Sequence, residues 1–290
     1  MLCQWTERSL LQLSGADRKK LLQGLITNNI DALSISKPLF TALLTPQGKF
    51  DTDFIVCEHQ DNIFLLVETA IAEEIETKLK RYKLRLDVTL TPLPAAIYRI
   101  DAQSIVIVQE HLRFKDPRHP ALGDILILFH DKDAFEKSHK ASFTPPAVYE
   151  ERRLQRGIPE GSKDLTRGKS VILEFGYDEL GAIDWQKGCY LGQELMTRTK
   201  HQGQLRNYIF PLLFHNTMPQ PGDKLTINGQ TLGKLLTTQD NLAIARLKLE
   251  PLRPLLMEGN TSFTTDQGAL TLHLPVWISD QKDIYTIAHL

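Results

Sequence analysis

Hydrophobic residues recur at two different periods along this chain. Over residues 18–26, Leu21, Leu22, Leu25 and Ile26 fall on one helical face, and Thr27, Asn28 and Asn29 stop the helix. Ser14 and Asp17 give it a capping-box-like start. Residues 5–16 before it read as a short strand and turn. Residues 40–58 alternate instead and predict a hairpin around Pro46-Gln47-Gly48. On its second strand, period two puts Asp51 and Asp53 on one face and Phe50, Thr52, Phe54 and Val56 on the other. Residues 62–68 predict a strand, and 70–84 an amphipathic helix with Ile71, Ile75, Leu79 and Tyr82 on its apolar side. Further strands are expected over 97–110 and 123–130, then a helix near Tyr149–Gln155 ending at Gly157.

This order of elements points to an α+β architecture rather than repeated parallel βαβ units. After residue 206 the texture changes to short apolar runs cut by Gly, Pro, Asn and Asp, the pattern of a small antiparallel β domain. A length of 290 residues suits about two domains. With 34 basic and 35 acidic residues the chain is near neutral, which argues against a nucleic-acid backbone as its main partner, although Arg198, Lys200 and Arg206 lie close together. No apolar stretch approaches the roughly 20 residues that cross a bilayer, and the first residues lack a secretory pattern. Cys3, Cys57 and Cys189 are widely spaced and odd in number, which predicts free thiols and a cytoplasmic location. Without a CxxC pair, a self-contained zinc or cluster site is not expected from cysteine alone.

The chemistry concentrates in residues 182–206. Gly188 and Gly192 bracket Cys189-Tyr190-Leu191, and glycine there allows sharp turns and close approach. A short helix is expected from Gly192 onward. Cys189 would then stand just before a helix N-terminus with Lys187 two residues away, and both features favour a thiolate. Cys57, which follows Phe54-Ile55-Val56, reads instead as a buried structural thiol.

Lys187, Gly188, Cys189, Tyr190, Gly192, Gln193 and Glu194 fill every fixed position of K-G-C-[FY]-x-G-Q-E, and this stretch resembles the signature of the YgfZ/IBA57 family. Residues 14–30, 151–159 and 221–238 resemble that family's opening helix, its R-x-x-x-G-I-P segment and its C-terminal barrel. The resemblance implies the fold of the glycine-cleavage T-protein, an aminomethyltransferase (GcvT-like) folate-binding fold. On that reading residues 1–205 form two α+β subdomains, roughly 1–100 with 146–205, and 101–145; residues 206–290 form an antiparallel β-barrel. It further implies an accessory protein that binds tetrahydrofolate or a derivative. Such a protein supports assembly or repair of iron–sulfur enzymes, tRNA-modifying ones included, through Cys189 and a transient cluster, and holds no metal permanently. Its partners would be iron–sulfur proteins or cluster-assembly factors.

Folate contacts carry over to Asp53, Gln155, Glu174 and Arg206. A pterin edge offers N–H donors to carboxylates, and the glutamyl tail is anionic and suits Arg. Thr52 stands where the T-protein pattern has the first of two aspartates, and Gln155 replaces a glutamate. An amide can still hydrogen-bond but cannot serve as a general base. Both departures weigh against the alternative reading, a tetrahydrofolate-dependent aminomethyl- or methyltransferase. A cysteine-nucleophile hydrolase or thiol transferase would need a base near Cys189, for which His201 is the nearby histidine.

Overall fold

The computed structural model describes residues 1–101, 111–202, 205–216, 220–258 and 260–278. The chain divides into two compact units. One comprises residues 1–46, 51–149 and 180–193, the other residues 47–50, 150–179 and 194–290.

The first unit carries a five-stranded sheet in the order Leu39–Leu44, Phe50–His59, Asn62–Glu68, Arg8–Ser14, Thr89–Leu93. The hairpin read from residues 40–58 is thus present. Its second strand differs from the alternating expectation, because residues 50–57 are buried on both faces. Burial of the polar face is possible because both aspartates are paired, Asp51 with Lys78 and Asp53 with Arg8. The helices Arg18–Gln23 and Ala72–Lys83 cover one side of the sheet. Leu21, Leu22, Leu25, Ile26, Ile75 and Leu79 pack there with Leu11, Phe54, Val56 and Leu65. The first helix has only 6 residues. Isolated helices shorter than about 12–15 residues are marginal in water, so this packing holds it.

A four-stranded sheet in the same unit runs Leu2–Gln4, Ala96–Ile100, Asp124–Leu128, His111–Lys115. The helix Lys132–Ser138 places Phe135 against Leu2, Tyr98 and Leu126. The strand expected over 97–110 appears as Ala96–Ile100, and its remaining stretch from residue 102 falls outside the described residues.

The second unit is dominated by a six-stranded antiparallel sheet: Lys224–Ile227, Gln230–Gln239, Leu242–Lys248, Asn207–Phe214, Gly268–Leu272, Ser262–Thr265. Its two edges are bridged. Asp266 N–H donates to the Thr226 carbonyl at 2.9 Å, and Thr226 N–H donates to Gln267 Oε1 at 2.8 Å. The sheet is therefore a nearly closed barrel, and bridging its edges removes unpaired strand surface. Arg153, the arginine of the R-x-x-x-G-I-P segment, is fully buried. It donates to Asp164 at 2.7 Å, to Glu150 at 2.5 Å and to the Ile158 carbonyl at 3.1 Å. Gly157, one residue before Ile158, has φ +69°, a conformation that favours glycine. This motif therefore organises packing.

Candidate functional site

The segment 181–192 is fastened to the turn after the first helix by hydrogen bonds that cross 153–167 positions of sequence. Thr27 Oγ1 donates to the Ala182 carbonyl at 2.7 Å, and Asn28 Nδ2 donates to the Gly181 carbonyl at 2.7 Å. Asp184 N–H donates to the Thr27 carbonyl at 3.1 Å, and Leu191 N–H to the Gly24 carbonyl at 3.0 Å. Asp184 Oδ1 shapes the turn by accepting from the backbone N–H groups of Gln186 at 2.8 Å and Lys187 at 3.2 Å. Leu191 packs on the main core of this unit. Thr27 and Asn28, which read in the sequence only as a helix stop, are therefore the loop's anchors.

Lys187 is 7% exposed, and its ammonium donates to the carbonyls of Ile26 and Asn28, both at 2.7 Å. It lies 5.2 Å from the centre of the Tyr190 ring, itself buried. Burial pushes its pKa down to about 8, more than Asp184 and Asp31 push it up. The cation expected beside the thiol is thus committed to two carbonyl oxygens. Cys189, in contrast, is exposed, whereas Cys3 and Cys57 are buried. Gly192 has φ +81°, as a sharp turn requires, but Gly188 does not have positive φ, and a Cβ there would meet nothing within 4 Å. Gly188 therefore keeps the neighbourhood of Cys189 open rather than admitting a close backbone approach. The expected helix follows as Gln193–Gln202 and begins with Gln193 and Glu194 of the motif. A cavity of about 480 Å³ beside the loop is lined by Asn28, Lys37, Phe40, Asp184, Trp185 and Gln186.

The residues assigned to folate by resemblance fall in both units. Asp53, in the first, is 1% exposed and accepts a 2.6 Å hydrogen bond from Arg8 Nη2. Arg8 Nη1 also donates to the Asp53 carbonyl at 3.0 Å. In the second unit, Glu174 Oε1 accepts from Asn207 Nδ2 and Oε2 from Arg246 Nε, each at 2.8 Å. Gln155 is exposed and donates to Glu151 at 3.0 Å. Arg206 is exposed and lines a cavity of about 640 Å³. This donor set fits the anionic end of a folate at Arg206. Glu174 keeps spare lone pairs for a pterin, since each carboxylate oxygen can accept more than one hydrogen bond. Asp53 does not fit as a ligand contact, because its carboxylate is sealed in with Arg8.

The barrel matches the model described as CAF17, C-terminal beta-barrel domain, over residues 206–280. The chain is similar to the mitochondrial iron–sulfur cluster assembly factor IBA57 homologue of Neurospora crassa, 34% identical over 74% of this chain. It spans only about half, 54%, of that relative's own length. It is 30% identical to the Dictyostelium discoideum homologue over 71% of this chain and 60% of that protein. To human IBA57 it is 28% identical over 93% of this chain and 83% of that protein. The crystal structure of the glycine cleavage system aminomethyltransferase T from Bartonella henselae superposes with a TM-score of 0.74 at 13% identity. That match covers 95% of this chain and 85% of the other. The expected α+β, GcvT-like fold with a C-terminal barrel is therefore present. The cytoplasmic location expected from cysteine usage is corrected by these relatives, all three of which are mitochondrial. Unpaired cysteines indicate a reducing environment and do not select among compartments that provide one.

Proposed function

Starting from a chain that is a relative of the IBA57 iron–sulfur cluster assembly factors on a GcvT-like fold, we propose that it serves the assembly or repair of iron–sulfur proteins through Cys189. The observation that carries this reading is the contrast among its three thiols: Cys189 alone is exposed. It is held at the tip of a loop anchored by Thr27, Asn28 and Lys187. A thiol presented this way can meet a partner's cluster or sulfur species without a prior opening of the fold. The cavity beside the loop, with Phe40 and Trp185 in its lining, offers a partner an apolar foothold. Clients on this reading are iron–sulfur enzymes, those that modify tRNA among them, and cluster-assembly factors.

Tetrahydrofolate, or a derivative, is part of the proposal. Arg206 would take its acidic tail, and Glu174 with Gln155 would face the pterin. A folate supplies a carrier of one-carbon units, but Thr52 is 0% exposed and carries no carboxylate, which supports accessory binding over aminomethyl transfer.

The test is complementation. In cells lacking their own factor, the parent chain should restore the activity of a radical iron–sulfur enzyme, as should Cys3→Ser. Cys189→Ser should not, while accumulating to the same level. Full support by Cys189→Ser would overturn the reading. Tetrahydrofolate titration of the parent and Arg206→Gln examines the folate part by itself.

A further inference from the structure

The cavity in which the folate reading puts an acidic tail holds more positive charge than that reading uses. The cavity of about 640 Å³ at Arg206 is also lined by Asn207, Lys248, Glu250 and Arg253. Three cations thus face a single carboxylate. Elsewhere, Arg8, Arg113, Arg118, Arg153 and Arg246 each meet an acidic side chain. Among the described residues, no ion pair or side-chain hydrogen bond engages Arg206, Lys248 or Arg253. Arg253 Nε is shut off from solvent and has no hydrogen-bond partner. A buried donor without an acceptor is costly. The charge here is left uncompensated by the protein.

The backbone adds to this field. The helix Leu249–Met257 begins at the cavity, and its first-turn residues Leu249 and Glu250 line it. A helix N-terminus carries positive potential, and clefts lined by one sign of charge focus it. Leu249 N–H donates to the Arg206 carbonyl at 3.0 Å, which ties the Arg206 backbone to the start of this helix.

We infer that this cavity is a binding site for a small polyanion, a molecule bearing two or more carboxylate or phosphate groups. Guanidinium groups accept such oxygens in paired fashion, and Lys248 supplies a point charge. The volume suits a small molecule. A nucleic-acid backbone fits less well, because the overall charge is balanced at 34 basic to 35 acidic residues. The inference goes beyond the folate reading, since it needs no pterin and rests on Lys248 and Arg253 as much as on Arg206.

The experiment is calorimetric titration of the full chain, in a buffer without polyvalent anions, with citrate, pyrophosphate, a short single-stranded oligonucleotide and tetrahydrofolate. Citrate or pyrophosphate should bind one to one, and which of them binds tells carboxylate from phosphate. Lys248→Gln and Arg253→Gln should each weaken that binding roughly tenfold, as loss of one charge-assisted hydrogen bond does. Glu250→Gln should not weaken it. Thermal shift with the same anions reports on any variant of lowered stability. Absence of heat and of thermal shift with both small anions overturns the inference, as does unchanged binding in both basic-residue variants. Tighter binding of the oligonucleotide overturns it too. Tetrahydrofolate binding without either small anion overturns it and leaves the folate reading standing. Small-anion binding without tetrahydrofolate supports it and removes the folate reading.

Discussion

Lys187 donates a 2.7 Å hydrogen bond to the carbonyl oxygen of Ile26, 161 positions earlier in the chain. A second bond of the same length reaches Asn28. The lysine two residues before the exposed thiol is therefore a clamp between the loop and the first helix. Its charge is spent on backbone oxygens of the turn that follows that helix.

Replacing Lys187 with Met keeps the apolar stem and removes the donors. Two carbonyls are then left to find water or remain unsatisfied, at about 1–3 kcal/mol for each buried group without a partner. With a midpoint shift of about 2–4 °C per kcal/mol in chains of this size class, the melting temperature should fall by several degrees. Thermal unfolding followed by circular dichroism measures this, and an unchanged midpoint would show that the clamp bears no load.

The same ammonium gives a pH signature. Its pKa falls from 10.5 to about 8 on folding because burial disfavours the charge. Between those values the unfolded chain binds more protons at this group than the folded chain, so its contribution to stability rises with pH. The contribution is complete above about 10.5 and lost as pH falls through 8. Burial pushes the pKa of Cys57 up, which acts in the opposite direction at alkaline pH. The clean measurement is therefore the difference in unfolding free energy between the parent and Lys187→Met. That difference should shift in the parent's favour from pH 8 to pH 10 in urea melts, and a flat difference would contradict the assignment.

The three thiols should separate by reactivity. Cys3 is 1% and Cys57 3% exposed, and burial raises the pKa of each, so neither presents an accessible thiolate. Iodoacetamide at neutral pH should add once to the folded chain, at Cys189, and three times after denaturation. Peptide mass spectrometry locates the adduct. A first adduct on Cys3 or Cys57 would mean that the loop does not present Cys189 as described.

What the residues alone could show follows from where their partners lie. The hairpin over 40–58 and the helix Ala72–Lys83 rest on local periodicity and were legible. So was the contrast between Cys57 in an apolar strand and Cys189 between glycines. The role of Lys187 was not, because its acceptors are 159 and 161 positions away and no spacing rule reaches that far. The helix Leu249–Met257 was hidden by Pro251 and Pro254, which read as breakers. Pro251 sits in the first turn, where backbone N–H groups have no helical acceptor, and only Pro254 costs an internal bond. The cationic cavity is hidden in the sequence for a related reason: Arg206, Lys248 and Arg253 are brought together by that helix and the barrel.

Asp53 offers the sharpest separation between a ligand contact and a structural lock. Its side chain and that of Arg8 are 1% and 3% exposed, and they meet at 2.6 Å. Removing one partner of such a pair leaves a buried uncompensated charge, at about 3–5 kcal/mol, whereas replacing both with apolar groups of similar size is often close to neutral. Arg8 would still donate to the carbonyls of Asp53 and Leu66, so Asp53→Asn should fall toward the lower end of that range. The double change Arg8→Met with Asp53→Leu should be more stable than Asp53→Asn, as measured by urea unfolding of the parent and both variants. If Asp53→Asn instead melts like the parent but loses affinity for tetrahydrofolate, the carboxylate serves the ligand and the lock is wrong. The geometry favours the lock, because a carboxylate already facing a guanidinium in a sealed strand has no open side from which a pterin could approach.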